Sequence, residues 1–232
     1  MNKAAILFAA VLAFAISPLI VDPFTGYDPS AFPVLIERHP IQPAGWAFSI
    51  WGLIYVWLVA HGLFGILKRP EDAAWDAPRL PLTLAALIGA VWMPIAAMSP
   101  SWGTATIWPM AIAAIVAFLR CDTSRDPWLL AAPVAVLAGW LTAAASVSTG
   151  ILLAGQGAMS PFAAAIAMLG LVLVIAVPVQ RRRPRMPAYG LTVLWALVGV
   201  IAANLADART VAILAALGAA IMAAALVWPR RA

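Results

Sequence analysis

The stretch Pro43-Ala44-Gly45-Trp46-Ala47-Phe48-Ser49-Ile50-Trp51-Gly52-Leu53-Ile54-Tyr55-Val56-Trp57 decides how the chain is read. It leaves a proline-rich segment, enters an apolar helix and carries three of the chain's 11 tryptophans. With Trp46 at zero and 100° per residue, Phe48, Trp51 and Tyr55 fall within an arc of about 60°, whereas Trp57 and His61 lie on another side. One helix face therefore stacks aromatics. In lipid that face gains nothing from the hydrophobic effect, because acyl chains are as apolar as the rings. Its use is packing against another helix or forming a wall for a flat ligand. Trp46, at the helix entrance, also reads as part of an interfacial aromatic belt.

Outward from this stretch the chain is 65% hydrophobic and 10% charged, which marks an all-α, polytopic membrane helix bundle. Eight apolar runs read as membrane helices: 4–21, 46–67, 80–98, 105–119, 128–149, 161–179, 188–205 and 210–228. The first has a small-x-small pattern at Ala13-Phe14-Ala15, but hydrophobicity continues past it, so a retained helix is expected rather than a cleaved signal. The fourth is short and needs its turn residues or the Arg120 stem to reach the interface. Residues 22–44 hold five prolines and apolar patches, and are expected to fold back as a cap over one membrane end. Pro94 should kink the third helix, and Pro133 falls in the first turns of the fifth.

All nine acidic residues, from Asp22 to Asp207, lie between the runs. Orientation follows from the bases. Eight spans with both termini cytoplasmic put Lys3, Lys68, Arg69, Arg79, Arg120, Arg125, Arg181, Arg182, Arg183, Arg185, Arg230 and Arg231 inside, 12 of 14, against Arg38 and Arg209 outside. The net charge of +5 is thus topogenic, with anionic lipid as a second partner of the 181–185 cluster, and does not indicate nucleic acid. An integral protein of a bacterial inner (cytoplasmic) membrane is expected.

Chemistry is sparse. His61 is the one ionisable group expected inside a helix, near the cytoplasmic interface and wet, and is the single candidate for ligating a haem. No chain of titratable groups supports ion coupling, and no nucleophile, base and carboxylate share a depth, so no enzyme is expected. Cys121 is alone, which excludes an intramolecular disulfide and a multi-cysteine metal site. Thr142, Ser146, Ser148 and Thr149 read as interhelical hydrogen-bond formers or mild polar lining. Small-residue runs at 143–145 and 217–220 suit close helix packing or a homo-dimer contact.

The pattern Pro43-x-x-Trp46-x-Phe48-x-x-Trp51-x-x-x-Tyr55, after a long proline-containing loop, resembles the signature of the TspO/MBR family of tryptophan-rich sensory proteins. Trp92 in the third helix and Gly139-Trp140 in the fifth fit the same likeness, which covers the first five helices. Three departures stand out. The family's proline between the Phe and second Trp is missing, Gly89 and Ser148 stand where it tends to carry asparagines, and the helices after Pro161 lack counterparts in its five-helix members. The resemblance implies a five-helix core at 1–149 with three further spans at 150–232, and a cavity capped by the first loop. Carried over residue by residue, its wall would be Trp46, Phe48, Trp51, Tyr55, Trp92 and Trp140, with Ser148 beside them. The implied ligands are porphyrin or haem, sterol-like and isoprenoid lipids, none of them obligatory. Without the asparagines a more apolar guest such as a carotenoid or quinone becomes plausible. The implied role is sensor, carrier or regulator of pigment or tetrapyrrole metabolism. Rival readings are a structural or assembly subunit of a photosynthetic or respiratory membrane complex, and a small-molecule transporter with helices broken at Pro94 and Pro133.

Overall fold

The computed structural model describes residues 2–21, 24 and 26–227. Among these it is helical throughout, with no strand: α1 (Lys3–Ile20), α2 (Ile50–Lys68), α3 (Ala73–Met98), α4 (Pro100–Arg120), α5 (Ala131–Gly155), α6 (Pro161–Arg182), α7 (Ala188–Asn204) and α8 (Arg209–Val227). Seven of the eight are long and apolar enough to cross a membrane; α7, at 17 residues, is a little shorter. The expectations that fall on Asp22, Pro23, Trp228, Arg230 and Arg231 lie outside the described residues.

Helix boundaries move where polar capping extends an apolar run. Asp72 accepts hydrogen bonds from the backbone N–H groups of Ala74 and Trp75, so α3 starts seven residues ahead of its predicted first residue, Leu80. Asp76 and Arg79, expected in a loop, are therefore helical. Arg79 is nearly fully buried, its guanidinium donating to the carbonyls of Pro70 (2.8 Å) and Arg69 (2.6 Å). Ser99 caps α4, which takes in the short turn and reaches 21 residues, as its length required. The fifth helix runs on to Gly155, so the turn predicted at 150–160 shrinks to its last residues. α3 continues unbroken through Pro94, and Pro133 sits in the first turn of α5, so neither proline divides its helix.

Helices α2, α1, α3, α4 and α5 pack in that order around a ring, which closes only sparsely between α5 and α2. α5 is buried along nearly its whole length, because α6 and α7 cover its outer side and α8 packs on both of them. One cluster of buried apolar residues runs through all eight helices. α1 is a packed member of it, with Val11 and Phe14 buried.

Polar contacts gather at the two ends of the bundle. At one end Lys3 pairs with Asp76 (2.5 Å), joining the start of α1 to the first turn of α3, while Arg69 with Asp126 (2.9 Å) and Arg125 with Asp72 join the α2–α3 connection to the α4–α5 connection. At the other end the first loop is pinned down. The N–H of Val34 donates to the carbonyl of Gly155, that of Ala44 to Gly199, and the Asn204 amide to the carbonyl of Pro40. Arg38 reaches Ala203 and Asn204 at the α7–α8 turn. The predicted cap thus forms, held by α5 and α7.

Candidate functional site

Beneath this cap lies a cavity of about 320 Å³, at the lower end of the range for small-molecule sites. Its aromatic side follows from how the chain enters α2. Residues Gly45–Ser49 form a 3₁₀ turn that runs straight into the helix, bringing Phe48, Trp51 and Tyr55 inward. Trp51 and Tyr55, one helical turn apart, stack with ring centroids 5.5 Å apart and planes 17° from parallel. Trp140 comes from α5 and meets Trp51 edge-to-face at 6.1 Å and Phe48 at 5.7 Å.

Six of the seven predicted wall residues therefore line one cavity: Phe48, Trp51, Tyr55, Trp92, Trp140 and Ser148. Trp46 does not. It is the second residue of the 3₁₀ turn, is 46% exposed, and packs edge-to-face on Trp195 of α7 at 4.9 Å. Trp195 in turn donates its indole N–H to the carbonyl of Ala47, which locks the entrance of α2 to α7.

His61 is also away from this cavity. It was expected to be wet, yet it is fully buried, because the early start of α3 lays Trp75 over its ring at 4.9 Å. Its Nδ1 meets the Leu129 carbonyl at 2.8 Å, so the proton sits on Nδ1 and Nε2 carries the lone pair. That Nε2 has no hydrogen-bond partner among the described residues. Among the described residues no group of three His, Cys, Asp or Glu side chains is placed to hold a metal ion.

Several cavity residues carry no mark in the sequence. Phe14 of α1 fills the floor, edge-on to both Tyr55 (5.1 Å) and Trp51 (5.9 Å). It can do so because residue 89 is glycine: a Cβ there would stand 2.6 Å from the Phe14 ring and from the Met110 methyl. A residue larger than glycine would thus compete with Phe14 for the same space. Ala196, Leu197 and Val200 of α7, with Leu169 and Val172 of α6, also line it.

The polar groups are few. Trp92 donates its N–H to the Gly103 carbonyl (2.9 Å), but the buried Trp140 Nε1 has no hydrogen-bond partner among the described residues. Towards the cap, Ser148 Oγ lies 2.7 Å from both the Tyr27 hydroxyl and Thr104 Oγ1. Burial raises the pKa of the Tyr27 phenol, which therefore stays a neutral hydroxyl. The other α5 hydroxyls bind helices together: Thr142 pairs with Tyr189 of α7, and Trp108 of α4 donates to Thr149. Ser146 bonds back to its own helix at Thr142.

The bundle thus holds a tryptophan-walled cavity beneath a cap, and the family model described as TSPO-like protein matches residues 4–228. The chain belongs to the TSPO-like family. The match takes in the last three helices as well as the first five, and in this TSPO-like protein α6 and α7 supply part of the cavity wall. No curated protein and no solved structure matches the chain at a significant level. TSPO-like membership and eight apolar helices make it an integral membrane protein in contact with the lipid bilayer.

Proposed function

We propose that this TSPO-like protein binds a hydrophobic planar or isoprenoid molecule in the capped cavity and acts as a sensor, carrier or regulator of pigment or tetrapyrrole metabolism rather than as a catalyst. It sits in the cytoplasmic membrane of a bacterium, with the Lys3, Arg69 and Arg125 end inside. The observation that carries this reading is the wall itself: Phe48, Trp51, Tyr55, Trp92 and Trp140 all line one void of about 320 Å³. A mostly apolar, aromatic-lined void of that size suits a small hydrophobic guest. Support for the orientation comes from the ion pairs that join three predicted cytoplasmic segments at one end.

The test has two parts. The absorbance spectrum of the protein isolated in mild detergent reports a co-purifying chromophore directly. Tryptophan fluorescence is then followed on titration with protoporphyrin IX, a sterol and a carotenoid precursor. Saturable quenching by any one of them, at micromolar concentration and weakened in Trp51→Ala, is the expected result. No chromophore and no saturable quenching by any probe overturns the reading.

A further inference from the structure

The cavity has a direction. α5 lines it from Trp140 to Ile151, and Ser148 lies eight residues beyond Trp140, about 12 Å further toward the cap at 1.5 Å per residue. The lower part, around Phe14, Tyr55, Gly89 and Met110, offers rings, methyl groups and a methylthioether. Oxygen and nitrogen collect at the cap end, where Gln42, Tyr27 and Ser148 all line the space.

These three groups differ in how fully they are engaged. Tyr27 can donate to Ser148, and Ser148 to Thr104, so the chain of hydroxyls satisfies its own protons and leaves lone pairs on the Tyr27 oxygen. The Gln42 side-chain amide has no hydrogen bond within the described residues and brings both a donor and an acceptor to the same end. A hydroxyl or carbonyl entering there finds partners of either kind.

No described residue lining the cavity is charged, and none is histidine. A carboxylate seated there would lose its hydration with no cation to meet it. Of the two bases on the cap, Arg38 is turned away onto Ala203, Asn204 and Asp207, and His39 is buried edge-on against Phe32 and is not among the lining residues. His61 lies outside the cavity against Trp75, so a haem iron would find no imidazole.

We infer that the cavity selects an uncharged isoprenoid-like molecule with one hydroxyl or carbonyl head, seated with its head at Gln42, Tyr27 and Ser148 and its apolar body on Phe14 and Tyr55, and that it rejects carboxylated ligands, porphyrin dicarboxylates included. This inference rests on the reading of the cavity as a ligand site, and the experiment separates the two.

The full-length protein in lipid nanodiscs is titrated at mildly alkaline pH with three matched probes: farnesol, the related hydrocarbon farnesene, and the carboxylate farnesoate. Affinities come from tryptophan quenching and are expressed per membrane-bound probe, so that partition into lipid cancels. Farnesol is expected to bind between about twofold and tenfold more tightly than farnesene, the range of one neutral hydrogen bond, and farnesoate more weakly than either. Gln42→Leu, and separately the pair Tyr27→Phe with Ser148→Ala, should bring farnesol down to the level of farnesene. A cooperative thermal unfolding transition in detergent reports that each variant is folded. Equal affinity for all three probes, or tightest binding of farnesoate, overturns the head-group inference and leaves the cavity as a ligand site. Binding of none, together with no quenching by the larger probes, overturns both.

Discussion

Trp51 of α2 and Trp140 of α5 stand edge-to-face across the sparsest junction of the helix ring, 6.1 Å between centroids and 83° between planes. This pair is both a packing contact and a cavity wall. The two helices touch chiefly through such rings, so a guest in the cavity and the closure of the ring depend on the same side chains.

Trp51→Ala removes the partner of both Trp140 and the stacked Tyr55. The expected result is farnesol binding weakened by about 1–3 kcal/mol, the scale for losing a large aromatic contact. Trp46→Ala serves as the comparison, because Trp46 packs on Trp195 outside the cavity, and it should leave binding within error. Equal losses in the two variants would show that the effect comes from the entrance of α2 rather than from the cavity wall.

The ion-paired end makes a pH-dependent contribution whose sign is fixed. Hydrogen bonds from the Arg69 guanidinium and the Trp75 indole hold the Asp126 carboxyl below the ordinary carboxylate value. A depressed folded pKa means that ionised Asp126 stabilises the protein throughout the range above the unfolded value of about 4, and that this is lost as pH falls through the folded value. Asp126 also holds a positive φ of 44°, which asparagine tolerates, so Asp126→Asn changes charge with little backbone penalty. Thermal unfolding in detergent should show the variant less stable at neutral pH, with the gap closing below about pH 4. A gap that persisted unchanged at acid pH would mean that the carboxylate charge was not its source.

How much of this was legible in the sequence depends on what signals each part. The eight helices follow from long apolar runs, which only helices can turn into membrane spans. Helix ends were less legible, because a cap such as Asp72 carries helix into charged sequence and places Arg79 inside, its donors engaged by two carbonyls. The α2 side of the cavity was readable since Phe48, Trp51 and Tyr55 share a face. Trp46 shared the motif without sharing that face. Phe14, Ala196 and Val200 were not readable, because on helices this apolar a lipid-facing residue and a cavity-facing one have the same composition.

His61 separates structural from ligand roles. Its ring stacks on Trp75 and its Nδ1–H ties α2 to the Leu129 carbonyl just before α5. His61→Phe keeps the stack but leaves that carbonyl unpaired in the interior, a cost of about 1–3 kcal/mol. The melting temperature should fall while farnesol affinity stays unchanged. A variant with normal stability and lost binding would place His61 in the ligand site.

The most direct test of the last three helices is to fill the cavity from their side. Ala196 of α7 lines the void and belongs to none of the first five helices. A phenylalanine there has about 320 Å³ of open space to enter, so it should displace a guest rather than neighbouring side chains. Overpacking in a filled core costs about 1–3 kcal/mol, whereas a ring that enters a real void gains contacts. Ala196→Phe should therefore keep or raise the melting temperature while lowering farnesol affinity at least about tenfold, or about 1.4 kcal/mol. Ala219→Phe on α8, outside the cavity lining, should leave binding unchanged. If Ala196→Phe bound farnesol normally, the guest would lie against the first five helices alone, and α7 would be packing and not wall.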